Sequence, residues 1–440
     1  MNEPQIQAGI LLQQQRIAFS LSAGYRSGGR DVPPGDYAVE ASDGKILFGG
    51  ETFPQLVFEA DDPHRNTFGL KDVIIGIHFH WERREDQYFR GSLKFIPEGD
   101  GISAVNIVSL EDYLTSVISS EMSATSSEEL LKAHAVISRS WLLAQLSRSR
   151  TLKEAGTAYR TSFETPGETL RWYDRESHDH FDVCADDHCQ RYQGITRQSA
   201  DPVKKVIRET RGEVLLHDGA VCDARFSKCC GGVTETFENV WEPVVHPYLQ
   251  AKPDLTEGAP FPDLTVEENA EKWIRTAPPA FCNTGDLRVL KQVLNDYDRE
   301  TPDFYRWKIT RTQEELSTLL RQRSGIDFGA IIALQPLERG RSGRIIRLRI
   351  TGTKRVMTTG KELEIRRILS KSHLYSSAFV VDARDEAADG IPRTFIFTGA
   401  GWGHGVGLCQ IGAAIMAEKG YTYGEILAHY FPQSERIKYY

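Results

Sequence analysis

One carboxyl of this chain falls on an apolar helical stripe. Leu110, Tyr113, Leu114, Val117, Ile118 and Met122 recur at helical spacing, and Glu121 shares their face, four residues after Val117 and three after Ile118. Glu111, Thr115 and Ser119 fall elsewhere. A carboxyl on such a stripe loses hydration, which raises its pKa. A carboxyl that keeps its proton at neutral pH is what a general acid requires. The competing use of Glu121 is an ion pair with an arginine or a cap on the next turn.

A second reactive group is His178-Asp-His180-Phe-Asp182-Val-Cys184-Ala-Asp-Asp-His188-Cys189, three histidines and two cysteines in twelve residues. Donors of this softness and density fit a tetrahedral zinc ion, although the spacing matches no common zinc finger. A Cys184–Cys189 disulfide is the alternative. Seven cysteines cannot all pair within one chain, and their clustering beside histidines points to metal more than to a disulfide framework. Cys229 and Cys230, next to Gly231-Gly232, read as small buried side chains. His78 and His80 alternate on a strand and read as one face of a sheet.

The third feature is a loop in which Gly399, Gly401, Gly403, Gly405 and Gly407 alternate. Glycine at that density means tight turns or close approach to a ligand. No Lys-Ser/Thr pair follows and the G-x-G-x-x-G register is absent, so phosphate-loop readings fail. The alternative is a glycine-rich connection that carries a surface histidine, His404.

The elements that must carry these groups are legible in outline. Up to about residue 108, short runs rich in Val, Ile, Phe and Tyr predict strands at 6–12, 17–21, 37–39, 46–48, 73–81 and 92–96. Ser109 followed by Glu111 and Asp112 predicts the start of the helix that ends near Glu121. Ser126-Ser-Glu-Glu129 predicts a capping box for the next helix, whose stripe is Leu130, Ala133, Ile137 and Trp141. Residues 157–250 read as irregular, with strands near 213–216 and 222–226. Helices are expected at 266–274, 287–298 and 312–323, strands at 344–351, 379–382 and 395–397, and helices at 410–419 and 423–430. This predicts a mixed α+β fold, β-rich up to about residue 108 and with a helical insertion over 263–325.

Apolar residues at 40% and charged residues at 26% describe a soluble globular chain. A net charge of −8 argues against nucleic acid or an anionic membrane as main partner and leaves a weakly charged polysaccharide open. No apolar run is long enough for a transmembrane helix. Met1-Asn-Glu-Pro lacks the basic-then-apolar pattern of a secretory signal.

Four segments in order resemble the stage II sporulation protein D (SpoIID) family with its LytB amidase enhancers. They are Tyr113–Met122 with Lys132-Ala-His-Ala-Val-Ile-Ser-Arg-Ser-Trp141; Gly231-Gly-Val-Thr-Glu235 with Asn239-Val-Trp241; Gly403-His-Gly-Val-Gly-Leu-Cys-Gln-Ile-Gly-Ala413; and Tyr421–Tyr430. The chain departs from the family at His134, where relatives usually carry Gln, and at Cys409, where they carry Ser. The resemblance covers 101–250 and 340–440, which it implies are the core, and leaves 1–100 as a β-rich module and 251–339 as a helical insertion. It implies a peptidoglycan lytic transglycosylase of the bacterial cell envelope, with Glu121 as acid and then base. It places His134, Arg139, Trp402, His404 and Gln410 at the glycan, the glycine loop lining its groove; a hydrogen-bonded core histidine is the other reading of His134. Some relatives bind zinc with two His and two Cys, which maps to His178, Cys184, His188 and Cys189; His180 is an alternative to His178, and Asp182 a weaker candidate. Four filled positions would make the zinc structural. The expected partners are glycan strands, stripped of stem peptides for sporulation-type members, and a cell-wall amidase. The rival class is a glycan-binding module or amidase enhancer; a zinc hydrolase would need an open metal position.

Overall fold

The computed structural model of the chain describes residues 2–75, 83–123, 125–155, 161–172, 178–186, 189–196, 201–256, 258, 260–293, 303–386, 388 and 390–440. His78, His80 and His188 lie outside these residues. The fold is mixed α+β, in two units: Met1–Arg139 with Arg175–Val214 and Ile437–Tyr440, and Ser140–Asp174 with Leu215–Arg436.

The first unit is built on two sheets. One has the order Val183–Cys184, Gln5–Gln14, Gly101–Ser109, Ser92–Glu98, Leu56–Ala60, Tyr25–Ser27, Arg30–Val32. The other runs Arg83–Arg90, Thr67–Ile75, Arg16–Leu21, Gly35–Ser42, Lys45–Phe48, Glu51–Phe53. Period-2 alternation sends Ile17, Phe19 and Leu21 inward. Phe19 of the second sheet packs on Phe58 and Phe95 of the first, with ring centroids 5.2 and 5.0 Å apart, so aromatic rings fill the space between the sheets.

Pairing in the first sheet positions the candidate residues. Strand Gln5–Gln14 lies antiparallel to Gly101–Ser109, with Gln5 opposite Ser109. That register delivers Ser109 as the cap of helix α1 (Leu110–Glu121), where its hydroxyl accepts the Asp112 N–H at 3.3 Å. The same strand pairs in parallel with Val183–Cys184, Gly9 opposite Cys184. A Cβ on Gly9 would stand 2.7 Å from the Phe181 ring, so glycine lets this loop close on the sheet.

Helix α2 (Glu128–Ala155) is capped one residue later than the sequence pattern suggests: the Ser127 hydroxyl accepts the Leu130 N–H at 3.4 Å. Helix α3 (Asp201–Glu209) falls in the stretch read as irregular. It buries only Val203, Val206 and Ile207, one short apolar stripe inside a charged segment.

The second unit holds a five-stranded sheet ordered Ser162–Thr165, Glu168–Arg171, Val356–Gly360, Ile345–Gly352, Ile331–Arg339. A three-stranded sheet has the order Arg306–Thr312, Thr394–Ala400, Phe379–Arg384. Its helices are α4 (Glu267–Arg275), α5 (Leu287–Val293), α6 (Gln313–Ser324), α7 (Glu362–Ile368), α8 (Gln410–Glu418) and α9 (Tyr423–Tyr430). Thr312 and Glu315 form a capping box on α6, and Thr422 and Glu425 one on α9. Trp307, Leu316, Leu320, Ile345, Ile365 and Phe379 share one buried core. The described residues of 251–339 thus supply three helices and also two strands.

Candidate functional site

Glu121 ends α1, at the edge of the helix's buried face. Leu110, Tyr113, Leu114, Val117, Ile118 and Met122 are all buried, as their spacing predicts, and Glu121 is half-buried. Its Oε1 lies 3.4 Å from the backbone N–H of Arg191, which donates to it. Arg191 belongs to the loop that carries Cys184 and Cys189, so the carboxyl and the Cys/His cluster share one support.

In that cluster the donor atoms of His178, Cys184 and Cys189 lie within 4.8 Å of one another. Cys189 Sγ is 3.5 Å from His178 Nε2. A zinc ion, at about 2.3 Å from sulfur and about 2.0 Å from nitrogen, fits such a set. His180 is exposed and stands outside it, and Asp182 accepts the Gln7 N–H at 2.8 Å. His178, not His180, therefore faces the two cysteines; the fourth expected donor, His188, is outside the described residues. Tyr113 connects the cluster to Glu121. Its ring stacks on Tyr192 at 4.8 Å, and its buried hydroxyl has no hydrogen-bond partner among the described residues. Burial, with the nearby Cys189, Cys184 and Glu121, pushes its pKa well above the usual phenol value.

Arg139 and His134 occupy core positions. Arg139 is fully buried and grips Glu111 through two bonds, Nε to Oε1 at 3.0 Å and Nη2 to Oε2 at 2.7 Å. Glu111 also accepts the Gly212 N–H at 3.1 Å and the Tyr440 hydroxyl at 2.6 Å. Glu111, placed off the apolar face by sequence, is thus buried because the guanidinium compensates it. His134 is fully buried, with Nδ1 3.2 Å from the Ser138 hydroxyl, which is the core-histidine reading.

In the second unit the glycine loop is braced from below. Gly401, Gly403, Gly405 and Gly407 all take left-handed φ, between 74° and 94°. A Cβ on Gly405 would stand 2.4 Å from the Arg344 guanidinium, and one on Gly407 would stand 2.1 Å from the Arg225 carbonyl oxygen. Arg344 is fully buried and donates to the Gly403 and Cys230 carbonyls, each at 3.1 Å. Buried Glu235 accepts from the Ser342 hydroxyl at 2.6 Å, while its own N–H donates to the Gly405 carbonyl at 2.9 Å. Sequence reasoning assigned neither Arg344 nor Glu235; the Gly-Gly-Val-Thr-Glu motif was the available signal for the latter.

Trp402 is half-buried and stacks on Tyr375 at 3.9 Å. His404 is half-buried, edge-on to Trp241 at 5.1 Å, and its Nδ1 accepts the Val406 N–H at 3.1 Å. Desolvation, then the charges of Arg225, Arg366 and Arg344, hold its pKa well below the usual imidazole value, so the ring is neutral at physiological pH. Gln410 is buried in the first turn of α8.

These observations define a mixed α+β protein with a half-buried carboxyl at a helix end, a Cys/His cluster beside it, and a glycine loop supported by buried charges. The stage II sporulation protein family profile matches residues 98–217, which hold Glu121 and the cluster; a domain of unknown function (DUF8618) matches residues 235–407. An uncharacterized protein of Brachyspira hyodysenteriae is 28% identical over 382 residues, 85% of this chain and 81% of that protein. Stage II sporulation protein D of Bacillus subtilis is 22% identical over 331 residues, 74% of each chain. The amidase enhancer of Bacillus subtilis is 24% identical over 251 residues, 53% of this chain and 32% of that longer protein. The chain is thus similar to stage II sporulation protein D and the amidase enhancer, and residues 98–217 carry the family profile.

Proposed function

We propose that this protein is a lytic transglycosylase that cleaves peptidoglycan glycan strands in the cell envelope, with Glu121 as its catalytic acid and base. The observation that carries the reading is the setting of Glu121: half-buried at the end of α1, held by the Arg191 amide, on the loop of the Cys/His cluster. In the proposed reaction Glu121 protonates the glycosidic oxygen between N-acetylmuramic acid and N-acetylglucosamine. The bond from the muramic acid C1 to that oxygen breaks, and the muramic acid 6-hydroxyl oxygen bonds to C1. Glu121 takes the hydroxyl proton, so an anhydro ring forms, no water is consumed and the carboxyl is regenerated.

The cluster would hold zinc through His178, Cys184 and Cys189, with His188 as fourth ligand. In this reading zinc is structural: it keeps the loop closed so that the Arg191 amide meets Glu121. Trp402 and His404, each half-buried, are proposed as glycan contacts. His134, Arg139 and Gln410, which are buried, are proposed to support the site from behind.

The decisive experiment is digestion of purified peptidoglycan, with and without stem peptides, followed by mass analysis. A product lighter by one water than the hydrolysis product is expected, and Glu121→Gln should abolish it while keeping glycan binding. Near-normal turnover by Glu121→Gln would remove Glu121 from this role. The similarity to an amidase enhancer favours a second reading, a module that holds glycan for a cell-wall amidase. There the wild-type protein would bind glycan without cleaving it, and Glu121→Gln would have no functional consequence.

A further inference from the structure

A second set of soft ligands lies in the unit that holds the glycine loop, away from the Cys/His cluster in sequence and unrelated to the proposed reaction. Cys230, Asp254, Cys282 and Cys409 are all buried, and one donor atom of each lies within 4.8 Å of the others. Cys230 Sγ and Cys282 Sγ are 3.6 Å apart, and Cys409 Sγ accepts the Cys230 N–H at 3.2 Å. Two thiolates on one tetrahedral zinc ion, each about 2.3 Å from it, stand about 3.8 Å apart. The spacing seen here is therefore that of ligands around a single ion.

The carboxyl of Asp254 is fully buried and turned to the same point. It accepts the Tyr430 hydroxyl at 2.6 Å and the Cys282 N–H at 2.8 Å, both neutral donors. A carboxyl enclosed without a cation is costly unless it is protonated or binds one. A Cβ on Gly412, in the first turn of α8, would stand 2.6 Å from this carboxyl, so the absence of a side chain there makes room for it.

We propose that Cys230, Cys282, Cys409 and Asp254 form a closed binding site for a zinc-class divalent metal ion, distinct from the His178, Cys184 and Cys189 cluster. Three sulfurs and one carboxylate favour a borderline-soft ion over calcium or magnesium. Four protein ligands leave no open position, so the ion would be structural. The ligands come from four separate segments: the Gly231-Gly232 turn, the chain before α4, the turn after α4, and the end of strand Leu408–Cys409, where it caps α8. Cys230 and Cys409 flank the region 235–407 that the domain of unknown function matches, and Asp254 and Cys282 lie inside it. The ion would therefore staple that region to both of its ends, at the residue from which α8 leaves the glycine loop.

The test is metal analysis of the full chain, purified under reducing conditions and loaded with zinc or cobalt. A Cys184→Ala/Cys189→Ala chain should still hold one ion per molecule, and its cobalt form should show thiolate-to-metal charge-transfer absorption. In the otherwise wild-type chain, Cys282→Ser should lower the metal content by one equivalent. Asp254→Asn is an isosteric second variant that keeps the test open if Cys282→Ser does not fold; it should keep the thiolates and weaken metal affinity at least tenfold. The proposal is overturned if the folded Cys184→Ala/Cys189→Ala chain holds no metal. It is equally overturned if folded Cys282→Ser and Asp254→Asn chains keep the parent's metal content and affinity, or if peptide mapping finds a Cys230–Cys282 disulfide in the native protein.

Discussion

Replacing Arg139 by Met tests whether the most buried arginine in the sporulation-protein signature is structural. The guanidinium is 0% and the Glu111 side chain 8% exposed, so solvent can replace little of the pairing. Arg139→Met leaves the Glu111 carboxylate with two neutral donors, the Gly212 N–H and the Tyr440 hydroxyl. Removing one partner of a buried ion pair costs about 3–5 kcal/mol, because the other charge stays enclosed. A loss near 4 kcal/mol changes the folding equilibrium almost a thousandfold. Glu111→Gln should cost a similar amount, stranding the guanidinium. The double variant should be at least ~2 kcal/mol more stable than the sum of the single losses predicts, since the two side chains act as one unit. Urea unfolding of the full chain at pH 7 measures all three, and a glycan pull-down reads function of the folded fraction. Folded Arg139→Met should bind glycan within about twofold of wild type. Additive losses, an Arg139→Met change below ~1 kcal/mol, or intact folding with lost glycan binding would each refute the structural assignment.

Gly405→Ala meets both a left-handed backbone and the Arg344 guanidinium, so it should destabilise the second unit by roughly 2 kcal/mol or more, read as a lower melting temperature. A Gly405→Ala chain as stable as wild type would refute the close packing. Burial, then the charges of Arg366, Arg323 and Arg367, depress the His373 pKa to about 4, below its ordinary 6.5. Neutral His373 thus supports the fold above about pH 6.5, and that contribution is lost as pH falls towards 4. His373→Gln should flatten this acid limb of urea midpoint against pH by ~1 kcal/mol after solvent screening; an unchanged limb would exclude the residue. Cys184→Ala, which would unseat a metal from the Cys/His cluster alone, should lower the melting temperature more than it lowers the activity of the surviving folded fraction. A folded but inactive metal-free protein would instead make that metal catalytic.

What the chain by itself determined is its local structure. The period of Leu110 to Met122 and the Ser109 cap define α1 because each interaction spans four residues or fewer. The same holds for α6, α8 and α9, whose ends fall within a residue of the sequence expectation. The density of donors between His178 and Cys189 was readable for the same reason, although only folding showed that His178, not the exposed His180, faces the cysteines. Helix α3 escaped because its apolar stripe is three residues long.

Tertiary structure decided everything that depends on charge meeting charge across distance. Glu111 reads in sequence as a first-turn acid off the apolar face, and the resemblance places Arg139 at the glycan; the fold encloses the two together. Arg344 beneath Gly403, Glu235 against Ser342, and the meeting of Cys230, Asp254, Cys282 and Cys409 join residues tens to hundreds of positions apart. No periodicity encodes such meetings. A buried charge or thiol is tolerated only where the packed chain supplies its partner, and sequence spacing alone does not specify which distant segment that is.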